Sequence, residues 1–252
     1  MRRRSSFLIF SIAIYFCWTV IAFAWPLPDT GQSKCFDTYD IILCPQPDEP
    51  FYGQDANYKI NMPSYTKLDE QGNALSDDAT KWSMVRDNVT GLIWEVKQNN
   101  DGHPDYSNPN DADNGYRWRD SNPLTNGGDQ GSEEYERSAE EYIDNLNNSQ
   151  FGGFSDWRMP TIQELTTIIN FDKVEYPTIA LFYFPNTKTE RYWTSETHYF
   201  YNDKAMYIDF SSGTFQLPAQ KSGALFVRAV RAEKARSPYT VENNDETLTD
   251  TT

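Results

Sequence analysis

An apolar run opens the chain, from about Phe7 to Phe23, broken only by Ser and Thr. It follows Arg2-Arg3-Arg4 and ends at Ala22-Phe23-Ala24, with Trp25-Pro26 just beyond. A basic start, an apolar centre and small residues at the cut are the marks of an export signal. The run is also near the lower length limit for a bilayer span. The expectation is a signal peptide over 1–24, removed from a mature protein that works in the periplasm or at the cell exterior. Cys17 lies inside the apolar run and is lost with it.

Periodicity then disappears. Residues 25–80 are rich in Pro, Asp, Gly and Asn and read as an irregular N-terminal segment. From Trp82 the pattern is regular. Met84-Val85-Arg86 and Leu92-Ile93-Trp94-Glu95-Val96 predict two short strands around a turn at Asp87–Gly91. Residues 98–131 form a long polar loop, a length that is usually functional or disordered. Tyr116 and Trp118 argue against full disorder.

Two helices are expected next. Ser132 can cap the first, with Glu133 and Glu134 in its first turn, and Tyr135, Ala139, Tyr142, Ile143 and Leu146 share one face. Thr161 and Glu164 form a capping box for the second, after Pro160, with Ile162, Leu165, Ile168 and Ile169 inward. The C-terminal third reads as strands at Arg191–Ser195, Ala205–Phe210 and Thr214–Leu217, the last two joined by a hairpin turn at Ser211-Ser212-Gly213. A final strand is expected over Ala224–Arg231. From residue 236 the chain is polar, Thr-rich and acidic, the composition of a disordered tail. The domain proper is therefore 81–235, and the tail 236–252.

Charge narrows the partners. The chain has 22 Lys and Arg against 37 Asp and Glu, a net charge of −15. Loss of three signal-peptide arginines leaves 19 against 37, or −18. Such a surface repels nucleic acid and anionic lipid. Aromatics make up 15% of the residues, so the core is expected to be built from Trp, Tyr and Phe under long polar loops. Cys35 and Cys44, close together in an exported chain, are expected to pair as a disulfide. Two thiols alone make a poor zinc site.

Four motifs stand in order: Thr90-Gly91-Leu92-Ile93-Trp94, Asp156-Trp157-Arg158-Met159-Pro160-Thr161 with Glu164-Leu165, Tyr192-Trp193-Thr194-Ser195, and Phe226-Val227-Arg228-Ala229-Val230-Arg231. With Asp209-Phe210-Ser211-Ser212-Gly213 they resemble the bacterial DUF1566 family, the domain that ends the Legionella collagen-like adhesin. The resemblance implies an α+β fold similar to C-type lectin-like domains and to the formylglycine-generating enzyme core. In such folds two helices pack on a small, twisted, mostly antiparallel sheet, and long loops carry the ligand site. It also implies adhesion and a homotrimer. The adhesin's domain is similar to a binder of sulfated glycosaminoglycans. This acidic chain lacks the basic surface such polymers need, and it has no collagen-like repeat.

The candidate chemistry lies in the loops. Asn108, Asn110, Asp111 and Asp113, with Asp101 and Asp105 upstream, could supply calcium with carboxylate and amide oxygens. Residue 122 is Asn, so the full twelve-residue calcium loop is absent. Tyr116, Trp118, Tyr199 and Tyr201 are the candidate ligand-binding aromatics, because sugar rings stack on aromatic faces. The alternative is that they pack into the core. Trp94, Trp157, Pro160 and Trp193 are expected in the core, and Arg158, Glu164, Arg228 and Arg231 in internal contacts. The two histidines, His103 and His198, sit in no nucleophile motif, and neither a phosphate loop nor a dinucleotide fingerprint occurs. The expected function is non-catalytic recognition of a carbohydrate or surface partner. The alternatives are a self-assembling envelope protein or a hydrolase on the same scaffold, with His103 and Asp105 as its acid–base set.

Overall fold

A computed structural model describes residues 26–172, 176–215 and 218–232. The signal peptide expected over 1–24 and the tail expected over 236–252 lie outside the described residues.

The chain starts with a minimal hairpin, β1 (Cys35–Phe36) and β2 (Ile41–Ile42), tied by the Cys35–Cys44 disulfide. The stretch expected to be irregular then contributes a strand, β3 (Tyr65–Leu68). It pairs with β4 (Met84–Asp87), which pairs with β5 (Leu92–Glu95). The turn between β4 and β5 closes because the Asp87 carboxylate accepts from Val89 N at 2.8 Å and Gly91 adopts φ 73°. After β6 (Tyr116–Arg117) come the helices α1 (Ala139–Asn148) and α2 (Ile162–Thr166). β7 (Arg191–Thr197) and β8 (Lys204–Asp209) form the longest hairpin. β9 (Thr214–Phe215), β10 (Ala219–Gln220), β11 (Ala224–Leu225) and β12 (Val230–Ala232) are the last elements among the described residues.

The strands form small antiparallel sheets. One has the order β12-β5-β4-β3, and another β10-β8-β7 with β9 also on β8. β11 pairs with β6. The architecture is mixed α and β, with few helices. Among the described residues no helix is long and apolar enough to cross a membrane.

The first helix and the last strand also differ from expectation. α1 is capped by Ser138, whose side chain accepts from Glu141 N at 3.1 Å, not by Ser132. Arg137 has φ 57°, which breaks any helix running through it. Ser132 instead bonds the loop, its N donating to Trp118 O at 3.0 Å. The expected final strand is split between β11 and β12. Between them Phe226 bonds Arg191 and Trp193 of β7, so the chain crosses from one sheet to another. The fully buried Arg228 fixes the crossing, donating to Glu95 O at 2.6 Å and Thr187 Oγ1 at 2.8 Å.

The core is aromatic. One cluster holds Trp118, Tyr142, Trp157 and Trp193. A second holds Trp94, Leu165, Phe184, Tyr192 and Phe210. Three buried lysines fasten long loops to these rings. Lys67 Nζ lies 3.8 Å from Trp82 and 4.0 Å from Phe182 and donates to Asp77 O and Ala79 O. Lys97 Nζ lies 4.4 Å over Tyr142 and reaches Pro109 O. Lys221 Nζ lies 4.0 Å over Trp118 and donates to Asn126 O and Asp129 O. An ammonium held between a ring face and backbone carbonyls keeps its charge solvated while the loop buries it.

Candidate functional site

The loop that could supply calcium ligands is held by its own contacts. Asp101 accepts from His103 N, and Asp105 from Ser107 N and Oγ. Asn108 Oδ1 accepts from Asn110 N, and Asn110 Nδ2 donates to the buried Glu95 at 2.8 Å. Asp111 accepts from Asp113 N and from Asn99 Nδ2. Asp113 takes Asp101 N and Gly102 N on one oxygen and the Lys188 ammonium on the other. Lys188 also reaches Asn100. Lys188 and Lys97 thus bring positive charge to this acidic loop. Among the described residues, no group of three or more His, Cys, Asp or Glu side chains could hold a metal ion.

The four candidate aromatics separate into two pairs. Tyr116 and Trp118 are buried, Trp118 completely, and its Nε1 donates to Thr194 O at 2.8 Å. The polar sequence around them suggested loop aromatics. The chain instead turns both rings into the core, where Tyr116 packs 4.9 Å from Tyr142, and neither has a face to offer a ligand. Tyr199 and Tyr201 are at the tip of the β7–β8 hairpin, 81% and 54% exposed, beside Phe200 at 74%. His198 orders this tip. Its ring stacks on Tyr201 at 5.3 Å and 18°, and its Nδ1 accepts from Phe200 N and Tyr201 N at 3.2 Å each. Lys204 Nζ lies 4.7 Å from the Tyr201 ring.

Next to the tip, α1, the start of α2 and the end of β7 enclose a groove of about 690 Å³. Ala139, Ile143 and Met159 give it an apolar lining. Its charged groups are held in place. Arg119 Nε is 2.6 Å from Glu140, and Arg158 grips Glu164 with two bonds of 2.5 and 2.7 Å. Glu196 accepts from Ile162 N at 2.7 Å. Glu164 also forms the capping box of α2, accepting from Thr161 N at 2.8 Å. Burial alone would raise its carboxyl, but the Arg158 guanidinium and the Thr161 N–H outweigh burial and hold it below the usual range. Thr197 lines the groove and immediately precedes His198, which orders the tip.

The remaining motif residues serve the frame. Trp94, Trp157, Pro160 and Trp193 are buried. Arg231 pairs with Asp156 at 2.7 Å and lies 3.7 Å from the Phe154 ring. These residues bring the four motifs onto β5, the α2 entry, β7 and β12, around one core. Residues 83–231, more than half the chain, match the Lcl C-terminal domain. The chain belongs to that family. No curated protein and no solved structure matches it. Groove and tip both fall within the Lcl-type domain, whereas the disulfide hairpin precedes it.

His103 and Asp105 are both exposed, and no hydrogen bond joins them among the described residues. Arg119, Glu140 and Glu196 were not singled out by the sequence. Their roles come from contacts with residues 21 and 34 positions away, which no local pattern signals.

Proposed function

We propose that this chain is an exported, non-catalytic adhesion module. Its ligand is a carbohydrate, held by the aromatic tip Tyr199-Phe200-Tyr201 and the groove behind it. The observation that carries this reading is the tip itself: three consecutive aromatic side chains, exposed on an ordered hairpin beside fixed polar groups. Flat rings stack on sugar faces, and paired carboxylates and guanidiniums accept and donate to hydroxyls. Membership of the Lcl C-terminal domain family supports adhesion and an exported location. Two helices, small antiparallel sheets and long loops are compatible with a C-type lectin-like fold. The lysine-filled acidic loop supports binding that needs no calcium.

The test is a glycan array probed with the mature chain, with calcium and with chelator. Retention of one glycan class under both conditions is expected. The double variant Tyr199→Ala/Tyr201→Ala should bind at least tenfold more weakly with an unchanged melting temperature. An array with no retained glycan under either condition overturns the reading.

A further inference from the structure

Residues 26–62 precede the family-matched stretch and form a small unit with almost no interior. Only Cys35 and Pro45 are buried there. By contrast ten large apolar side chains between Leu27 and Met62 are exposed, Tyr39 at 90% and Leu43 at 94%. The unit holds its shape without a core. The disulfide closes the hairpin, Gln54 bonds Phe36 N and O at 2.9 and 2.7 Å and Phe51 O at 2.9 Å, and Asn57 donates to Pro45 O at 2.8 Å. Ser33 joins it to the domain, donating through N and Oγ to Asp172 at 2.9 and 2.8 Å.

These contacts bring several of the apolar side chains together. Phe36 lies opposite Ile41 across the hairpin, and Leu43 follows two residues on. Gln54 draws Phe51 to Phe36, and the Tyr52 and Tyr58 rings lie 6.3 Å apart. Exposed apolar side chains grouped in this way mark an interaction site. Its surroundings are acidic: six carboxylates against two lysines, Lys34 and Lys59, give the segment a charge of −4. Among the described residues none of these carboxylates forms an ion pair.

We propose that this disulfide-tied unit docks a second, different protein, whose contact face is apolar and rimmed by lysine and arginine. Charge selects the occupant. A second copy would set −4 against −4 on bodies that are themselves acidic, and an anionic bilayer carries the same sign. Sugar rings favour flat aromatic faces, which Ile41 and Leu43 do not offer. A basic-rimmed partner satisfies both the apolar centre and the unpaired carboxylates.

The test uses the full chain carrying a photo-cross-linking residue in place of Leu43, expressed in the cells that produce it. One heterologous protein adduct is expected. That protein, purified, should bind the wild-type chain, lose at least tenfold in affinity for Ile41→Ser/Leu43→Ser, and lose at least fivefold between 50 and 500 mM NaCl (~1 kcal/mol). Melting curves of the variant should match wild type, since both side chains are exposed. Adducts only with the chain itself or with lipid, no adduct, or a partner indifferent to the variant or to salt would each overturn the proposal.

Discussion

Glu95 and Lys97 stand two residues apart at the end of β5 and meet at 2.9 Å with neither side chain open to solvent. The Glu95 carboxylate also accepts from Tyr142 Oη at 2.6 Å and Asn110 Nδ2 at 2.8 Å, so it ties β5 to α1 and to the acidic loop. Burial lowers the Lys97 ammonium pKa while Glu95 opposes that shift. Removing one member of such a pair leaves an uncompensated charge inside. Lys97→Met is expected to cost about 3–5 kcal/mol in urea unfolding of the whole chain. A loss under 1 kcal/mol would mean the pair is not the anchor described.

The Arg158–Glu164 pair makes a pH-dependent contribution. The folded-state Glu164 carboxyl lies below its ordinary value of 4.5, because Arg158 and the Thr161 N–H outweigh burial. Its contribution is therefore full above that ordinary value and is lost as pH falls through the lower folded-state value. Glu164→Gln should cost about 1–3 kcal/mol at pH 7. The gap to wild type should narrow in acid. A gap that stays constant from pH 7 to pH 3 would show that the charge is irrelevant.

Gly131 faces Trp118 at close quarters. A Cβ there would come within 2.4 Å of the Trp118 carbonyl oxygen, on a backbone with φ 82°. Gly131→Ala should cost more than about 2 kcal/mol, through strain and displacement of the Trp118 backbone. Circular dichroism melting is the readout, and an unchanged melting temperature refutes the contact.

The disulfide acts on a unit that has no core. Closing a ten-residue loop restricts the unfolded chain by about 2.5–3 kcal/mol. Replacing both cysteines, Cys35→Ser/Cys44→Ser, should speed hydrogen exchange over 33–58 while leaving 83–231 unchanged. Equal loosening of both regions would show that the hairpin is integral to the domain.

Local chemistry made part of this structure legible. The Asp87–Gly91 turn, the Thr161–Glu164 capping box and the β7–β8 pattern are written in neighbouring residues, and they reappear in the fold. What depends on distant partners was hidden. Ser132 reads as a cap until Arg137 turns left-handed, and Trp118 reads as a loop aromatic until Thr194 accepts its N–H. The acidic run from Asp101 to Asp113 gives no local sign of Lys188, which reaches Asp113 from 75 residues away. The exposed tip of Tyr199 and Tyr201 was visible as aromatics, but the neighbouring groove was not.

Lysines 67, 97, 188 and 221 fasten the long loops with cations that arrive with the polypeptide. A chelator cannot strip such ions and a calcium-poor medium cannot withhold them. These fastenings are therefore covalent parts of the chain, present as soon as the loops fold around them.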